Sequence, residues 1–238
     1  MTGKYALAWL VHAFTASGAV LALFAWAAVE SGDMRLALFW LLAALAVDGV
    51  DGTLARRARV GVHLPRIDGA VLDLVIDYLN YVFVPALIIW RGGFVLPGFA
   101  MMLAAAIQLS SLYVFARRDM KTDDGYFRGF PGLWNVVAFY LVVATPGPAA
   151  ATLIVAMLVV LTFAPVHFIH PFRARDYGRW PALLAIVWAV SSLLLLWPDW
   201  SEAAYRACLS VSLASATIII AFGLLRSIRG ARTLEPTP

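Results

Sequence analysis

Residues Asp48 to Tyr78 read DGVDGTLARRARVGVHLPRIDGAVLDLVIDY. Four of its five carboxylates, Asp48, Asp51, Asp73 and Asp77, stand at helical spacings between two apolar runs, LALFWLLAALAV before and NYVFVPALIIW after. Both flanks are long and apolar enough to sit in a bilayer. Ionisable groups in such segments are costly and need a partner or a cation. Asp48 and Asp51 are three residues apart, so on a helix they share nearly one face, which Gly52 and Ala55 extend. Gly69, Asp73 and Asp77 recur every fourth residue and share a face of the next helix. An antiparallel hairpin of the two helices brings all four carboxylates to a similar depth.

Converging carboxylates repel one another unless protons or cations neutralise them. An all-oxygen ligand set suits hard divalent ions, Mg²⁺, Mn²⁺ or Ca²⁺, and four acids can hold two. Such a site fits phosphoryl transfer, where cations neutralise phosphate charge and align the attacking and leaving oxygens. The glycines let a bulky ligand approach the backbone. Arg56 can reach phosphate oxygens in a bidentate fashion. The competing readings are a carboxylate held by an arginine for folding alone, or a proton pathway.

The pattern Asp48-x-x-Asp51-Gly52-x-x-Ala55-Arg56, then Gly69-x-x-x-Asp73-x-x-x-Asp77, resembles the signature of the CDP-alcohol phosphotransferase family. The resemblance covers this hairpin alone, and every signature position is filled. Residues 57–68 make a longer turn than the family usually has, and with LDLVIDYLNYVFVP after it the stretch is similar to the choline-using bacterial branch. The resemblance implies an all-α polytopic membrane fold of about eight helices, six of them forming a catalytic core. It implies transfer of a phosphatidyl group from CDP-diacylglycerol to an alcohol, with release of CMP. Choline is the expected acceptor. Serine, inositol and glycerol phosphate are the alternatives within the family. By the same resemblance Asp48, Asp51, Asp73 and Asp77 hold two divalent cations, Mn²⁺ or Mg²⁺. Asp77 is then the base for the acceptor hydroxyl, and Gly52, Ala55, Arg56 and Gly69 line the cytidine-diphosphate site. From a different class, an ion transporter using the acids for translocation remains open.

Composition agrees with a membrane chain. Of 238 residues, 63% are hydrophobic and only 13% charged, and the mean hydropathy is +0.84. The net charge of +4 comes without basic stripes interleaved with aromatics, so no nucleic acid partner is expected. The single Cys208 excludes an intrachain disulfide and a cysteine metal cluster. The apolar periodicity predicts eight spans, at about 5–29, 35–57, 67–90, 94–116, 130–146, 149–169, 180–197 and 203–225. The first is too long for a signal-peptide core and is read as a retained helix. We expect one membrane domain over 1–238, with 230–238 a frayed tail and a homodimer as one option.

Lys and Arg set the orientation. Fifteen fall in one set of loops, around Lys4, Arg56–Arg66, Arg117–Arg128, Arg173–Arg179 and Arg226–Arg232, against Arg35, Arg91 and Arg206 on the other side. Positive charge stays inside, so both termini and the carboxylates are expected on the cytoplasmic side of a bacterial inner membrane. His12 and Thr15 share a face of the first helix. They suit contact with a nucleotide or a carboxylate, or mutual packing between helices. Tyr78, Tyr81, Tyr126, Phe130 and Trp134 are the aromatic supply for a quaternary ammonium, or else an interfacial belt. Asn80 follows the motif directly. His167 and His170 close the sixth expected span and are weak candidates for metal ligation. Arg173 and Arg175 suit lipid phosphate or topology alone.

Overall fold

The computed structural model describes residues 2–174 and 176–230. Arg175, Arg232 and the expected tail beyond Gly230 lie outside the described residues. The order is α1 (Thr2–Glu30), α2 (Met34–Arg57), α3 (Val60–His63), α4 (Gly69–Tyr78), a π turn (Leu79–Phe83), α5 (Val84–Arg91), a 3₁₀ turn (Pro97–Phe99), α6 (Ala100–Ala116), β1 (Tyr126–Arg128), α7 (Trp134–Ala144), α8 (Pro148–Leu161), β2 (His167–Ile169), α9 (Trp180–Leu195) and α10 (Glu202–Arg229). Five stretches are long and apolar enough to cross a membrane: α1, α2, α4 through α5, Pro97–Ala116 and α10. The chain is an all-α polytopic membrane protein with one short ribbon. Three more apolar helices, α7, α8 and α9, fall where the other expected spans lie but are shorter. The 11 residues of α7 rise only about 16 Å, because Pro131-Gly132 precede the helix and Pro146-Gly147-Pro148 follow it.

Two compact units divide the chain. The first holds residues Met1–Gln108 and Leu133–Thr152. In it α1 and α2 pack on each other, with Ala22, Ala25 and Ala28 of α1 and Ala37, Leu38, Leu41 and Ala44 of α2 all buried. Small side chains let two membrane helices approach closely where lipid supplies no hydrophobic drive between them. The outward residues of α1, among them Trp9, Leu10, Leu23 and Phe24, are exposed apolar groups suited to lipid. The turn between α1 and α2 has Gly32 at φ +82°, and Asp33 caps α2 by accepting from the Leu36 N–H at 2.9 Å. Asp68 caps α4, accepting from the N–H groups of Ala70 and Val71. The turn over 57–68 is anchored: Val60 is buried with Ala8 and Val11 and packs on Leu54 and Leu64.

Helix α4 does not run straight into α5. Proline at 85 has no N–H to give the carbonyl four residues back, and its ring crowds that group. The chain widens by one residue, and the Val84 N–H reaches the Leu79 carbonyl instead.

The second unit holds Leu109–Gly132 and Leu153–Pro238. Here the sequence reading of the sixth span needs correction. Helix α8 stops at Leu161, and His167–Ile169 form a strand rather than a helix end. Pro165 breaks the helix, and β2 pairs antiparallel with β1, Phe127 opposite Phe168. Helix α10 closes on this ribbon at Gly223, where a Cβ would lie 2.4 Å from the His167 carbonyl oxygen. The Ser227 hydroxyl then accepts from the His167 N–H at 2.6 Å. An ion pair at 2.7 Å joins Arg226 to Asp124. Burial opposes charge on Asp124, but hydrogen bonds from Thr122 and Arg226 outweigh it and hold the carboxyl below its usual range. Helices α9 and α10 pack through buried serines, with Ser192 and Ser212 hydroxyls 3.3 Å apart.

The His170 ring stacks on Phe127 at 5.6 Å between centroids. Burial, then the charges of Arg173 and Lys121, push its imidazole down to about 4. The unfolded chain takes up that proton near pH ~6.5. His170 therefore contributes stability above about pH 6.5 that is lost as pH falls toward 4. Thermal unfolding of the purified protein should show this acid loss, and His170→Gln should flatten it between pH 7 and 5.

Candidate metal centre

The C-terminal part of α2 and the body of α4 supply the acids. One carboxylate oxygen each from Asp48, Asp73 and Asp77 lies within 4.8 Å of the others. Asp51, one helical turn on from Asp48, is buried at 5% exposure. Thr15 of α1 lines the same cavity as its carboxylate. Asp77 feels the charge of all three other acids. They open on a narrow cavity whose walls also include Gly18, Leu41, Ile76, Asn80, Tyr81 and Asn135.

Among the described residues no lysine or arginine lines that cavity. Arg56 lies back along α2, its Nη2 donating to Thr53 Oγ1 at 3.1 Å and its Nη1 3.4 Å from where a Cβ on Gly52 would stand. Hard oxygen donors at this separation fit a divalent cation. The triad can hold a metal ion. Among the described residues no other group of three acids, histidines or cysteines converges this way.

Helix α1 closes the other wall. Gly18 sits so near α4 that a Cβ would stand 2.6 Å from Ile76 Cγ2. Asn80 donates from Nδ2 to the carbonyls of Gly18 and Ile76, both at 3.0 Å. His12 is buried against Gly69, its Cε1 3.4 Å from a Cβ placed there, and its Nε2 has no hydrogen-bond partner. The sequence named His12, Thr15 and Asn80 but missed Asn135 as a cavity residue. Its signal was an amide at the head of an apolar helix, easily lost beside Trp134.

The aromatic candidates part company. Tyr81 lines the cavity, and its hydroxyl donates to Asp48 Oδ2 at 2.6 Å. The Tyr78 hydroxyl turns to Gln108, donating to Oε1 at 2.6 Å. Trp134 is fully buried in the first unit. Tyr126 and Phe130 belong to the second unit. There the buried Tyr126 donates to Asp176 Oδ2 at 3.0 Å, and Phe130 packs edge-on to Phe168. His167 sits in β2 and His170 directly after it, and neither joins a metal-ligating group among the described residues.

Comparison with known proteins follows this geometry. The chain is 46% identical over 191 residues to the phosphatidylcholine synthase of Pseudomonas aeruginosa, covering 80% of each chain. It is 46% identical to that of Bradyrhizobium diazoefficiens, over 80% of this chain and 72% of the relative. The Borreliella burgdorferi enzyme of the same name is 32% identical over 92% of this chain and 91% of its own. The chain belongs to the phosphatidylcholine synthase family. No protein-family model matches it.

A cation site made of like charges has a thermodynamic signature. Without metal, Asp77→Asn relieves repulsion within the cluster, so the chelator-treated variant should melt at or above the Tm of the parent. Added Mn²⁺ should raise the parent's Tm and leave that of the variant unmoved.

Proposed function

We propose that the chain transfers a phosphatidyl group from CDP-diacylglycerol to choline, giving phosphatidylcholine and CMP. The observation that carries the proposal is the converging carboxylate cluster on the two helices of the motif, in a chain of the phosphatidylcholine synthase family. Asp48, Asp51, Asp73 and Asp77 hold two divalent cations, which supply charge neutralisation at the diphosphate when bound. Mn²⁺ or Mg²⁺ suits the donor set. Gly52, Ala55, Gly69, Thr15 and Arg56 receive the cytidine diphosphate, with Arg56 swinging from Thr53 to phosphate oxygen.

Asp77 takes the proton of the choline hydroxyl. The choline oxygen forms a bond to the phosphorus that carries diacylglycerol, and the bond from that phosphorus to the CMP oxygen breaks. CMP leaves with the electron pair. The choline ammonium carries a fixed charge and offers no hydrogen bond. It is held by the negative field of the acids. Among the described residues no arginine cluster of the kind an acidic acceptor needs lines the cavity, which favours choline over serine or glycerol phosphate.

Purified enzyme with CDP-diacylglycerol and Mn²⁺ should release CMP with choline and not with serine, inositol or glycerol phosphate. Release with one of those instead overturns the acceptor and leaves the reaction class standing. Cation flux into vesicles without CDP-lipid would support a transporter.

The same reading puts the cluster at the cytoplasmic side of a bacterial inner membrane, with both termini cytoplasmic. Reporter fusions at Arg118 and after Arg229 should both give cytoplasmic signals. A periplasmic signal from either overturns the orientation.

A further inference from the structure

We infer that Tyr81 is a positioning residue for the metal ligand Asp48 and acts through its hydroxyl rather than through the face of its ring. The inference rests on the proposed cation site and goes beyond it. Three observations meet at this residue. The hydroxyl donates to Asp48 Oδ2 at 2.6 Å, across from the α4–α5 helix to α2. It is one short bond between groups 33 residues apart in sequence. Tyr81 also sits inside the π turn Leu79–Phe83, where the widened helix re-aims consecutive side chains. The turn itself is fixed, because the neighbouring Asn80 is tied to the carbonyls of Gly18 and Ile76.

The physical consequence is orientation. A carboxylate in a metal site has two oxygens and a free torsion, and a donor on one oxygen fixes the plane and leaves the other to the cation. The hydrogen bond also draws off part of the charge that four acids accumulate. Removing such a supporting donor typically weakens metal binding by roughly 10–100-fold. The origin of the arrangement lies four residues further on. Pro85 forces the π turn, and the π turn delivers the hydroxyl to Asp48.

The test separates this role from a choline-binding ring. Tyr81→Phe removes one oxygen and keeps the ring. Tyr81→Leu removes both. Binding of Mn²⁺ to the purified, substrate-free proteins is followed by electron paramagnetic resonance, with the choline KM measured at saturating Mn²⁺. We expect Tyr81→Phe to raise the Mn²⁺ Kd by roughly 10–100-fold with the choline KM unchanged. Tyr81→Leu should raise it by a similar factor. An unchanged Mn²⁺ Kd in a folded Tyr81→Phe protein overturns the inference, as does a rise in choline KM confined to Tyr81→Leu. Failure of the parent enzyme to bind Mn²⁺ overturns the cation site itself, a result distinct from either.

Discussion

Mutual repulsion among the acids is the constraint that the first unit is built to withstand. Two unit charges 4.8 Å apart repel by about 3 kcal/mol at an effective dielectric constant of ~20. A cluster of four multiplies such pairs. Two hydroxyls stand beside individual acids, each from a different helix: Tyr81 donates to Asp48, and Thr15 lines the same cavity as Asp51. A hydrogen bond spreads the charge of a carboxylate but does not cancel it, whereas a divalent cation held by the triad would.

Holding those donors in place requires close helix packing. The buried alanines of α1 and α2 and the glycine at position 18 let α1 lie against the hairpin. Asn80 then fastens the π turn to α1 by two carbonyls. Within a bilayer these polar contacts face no water, so an unpaired alternative costs more than it would at an aqueous surface. The site is thus rigid where it touches the acids. Arg56 is the exception, an exposed side chain bonded only to its own helix, and so free to meet a phosphate.

The second unit explains residues that the motif does not use. Asp124 and Arg226 form an ion pair with side chains only 16% and 12% exposed. Removing one partner of such a pair leaves a charge poorly solvated. Tyr126 lies under the same arginine, 5.7 Å from its guanidinium, and reaches Asp176. These contacts bind the ribbon to the last helix. They give the aromatic loop a structural occupation that its composition alone left open between a belt and a ligand surface.

The amino-acid sequence by itself determined the membrane class, the order of the apolar helices and the pairing of acids on two helix faces. Those follow from local rules: hydropathy over a span, and three- and four-residue spacing on a helix. It also marked Asp48, Asp51, Asp73, Asp77 and Thr15 before any contact was visible. Tertiary structure decided what spacing cannot reach. Tyr78 and Tyr81 are near neighbours in sequence, yet the π turn sends one hydroxyl to Gln108 and the other to Asp48. Asn135 enters the cavity from a helix far along the chain. His167 left its expected helix because β1 and α10 offered its backbone partners that no local pattern records. A hydrogen bond between residues distant in sequence depends on where whole helices pack, and that is settled by the sum of many contacts rather than by any one stretch.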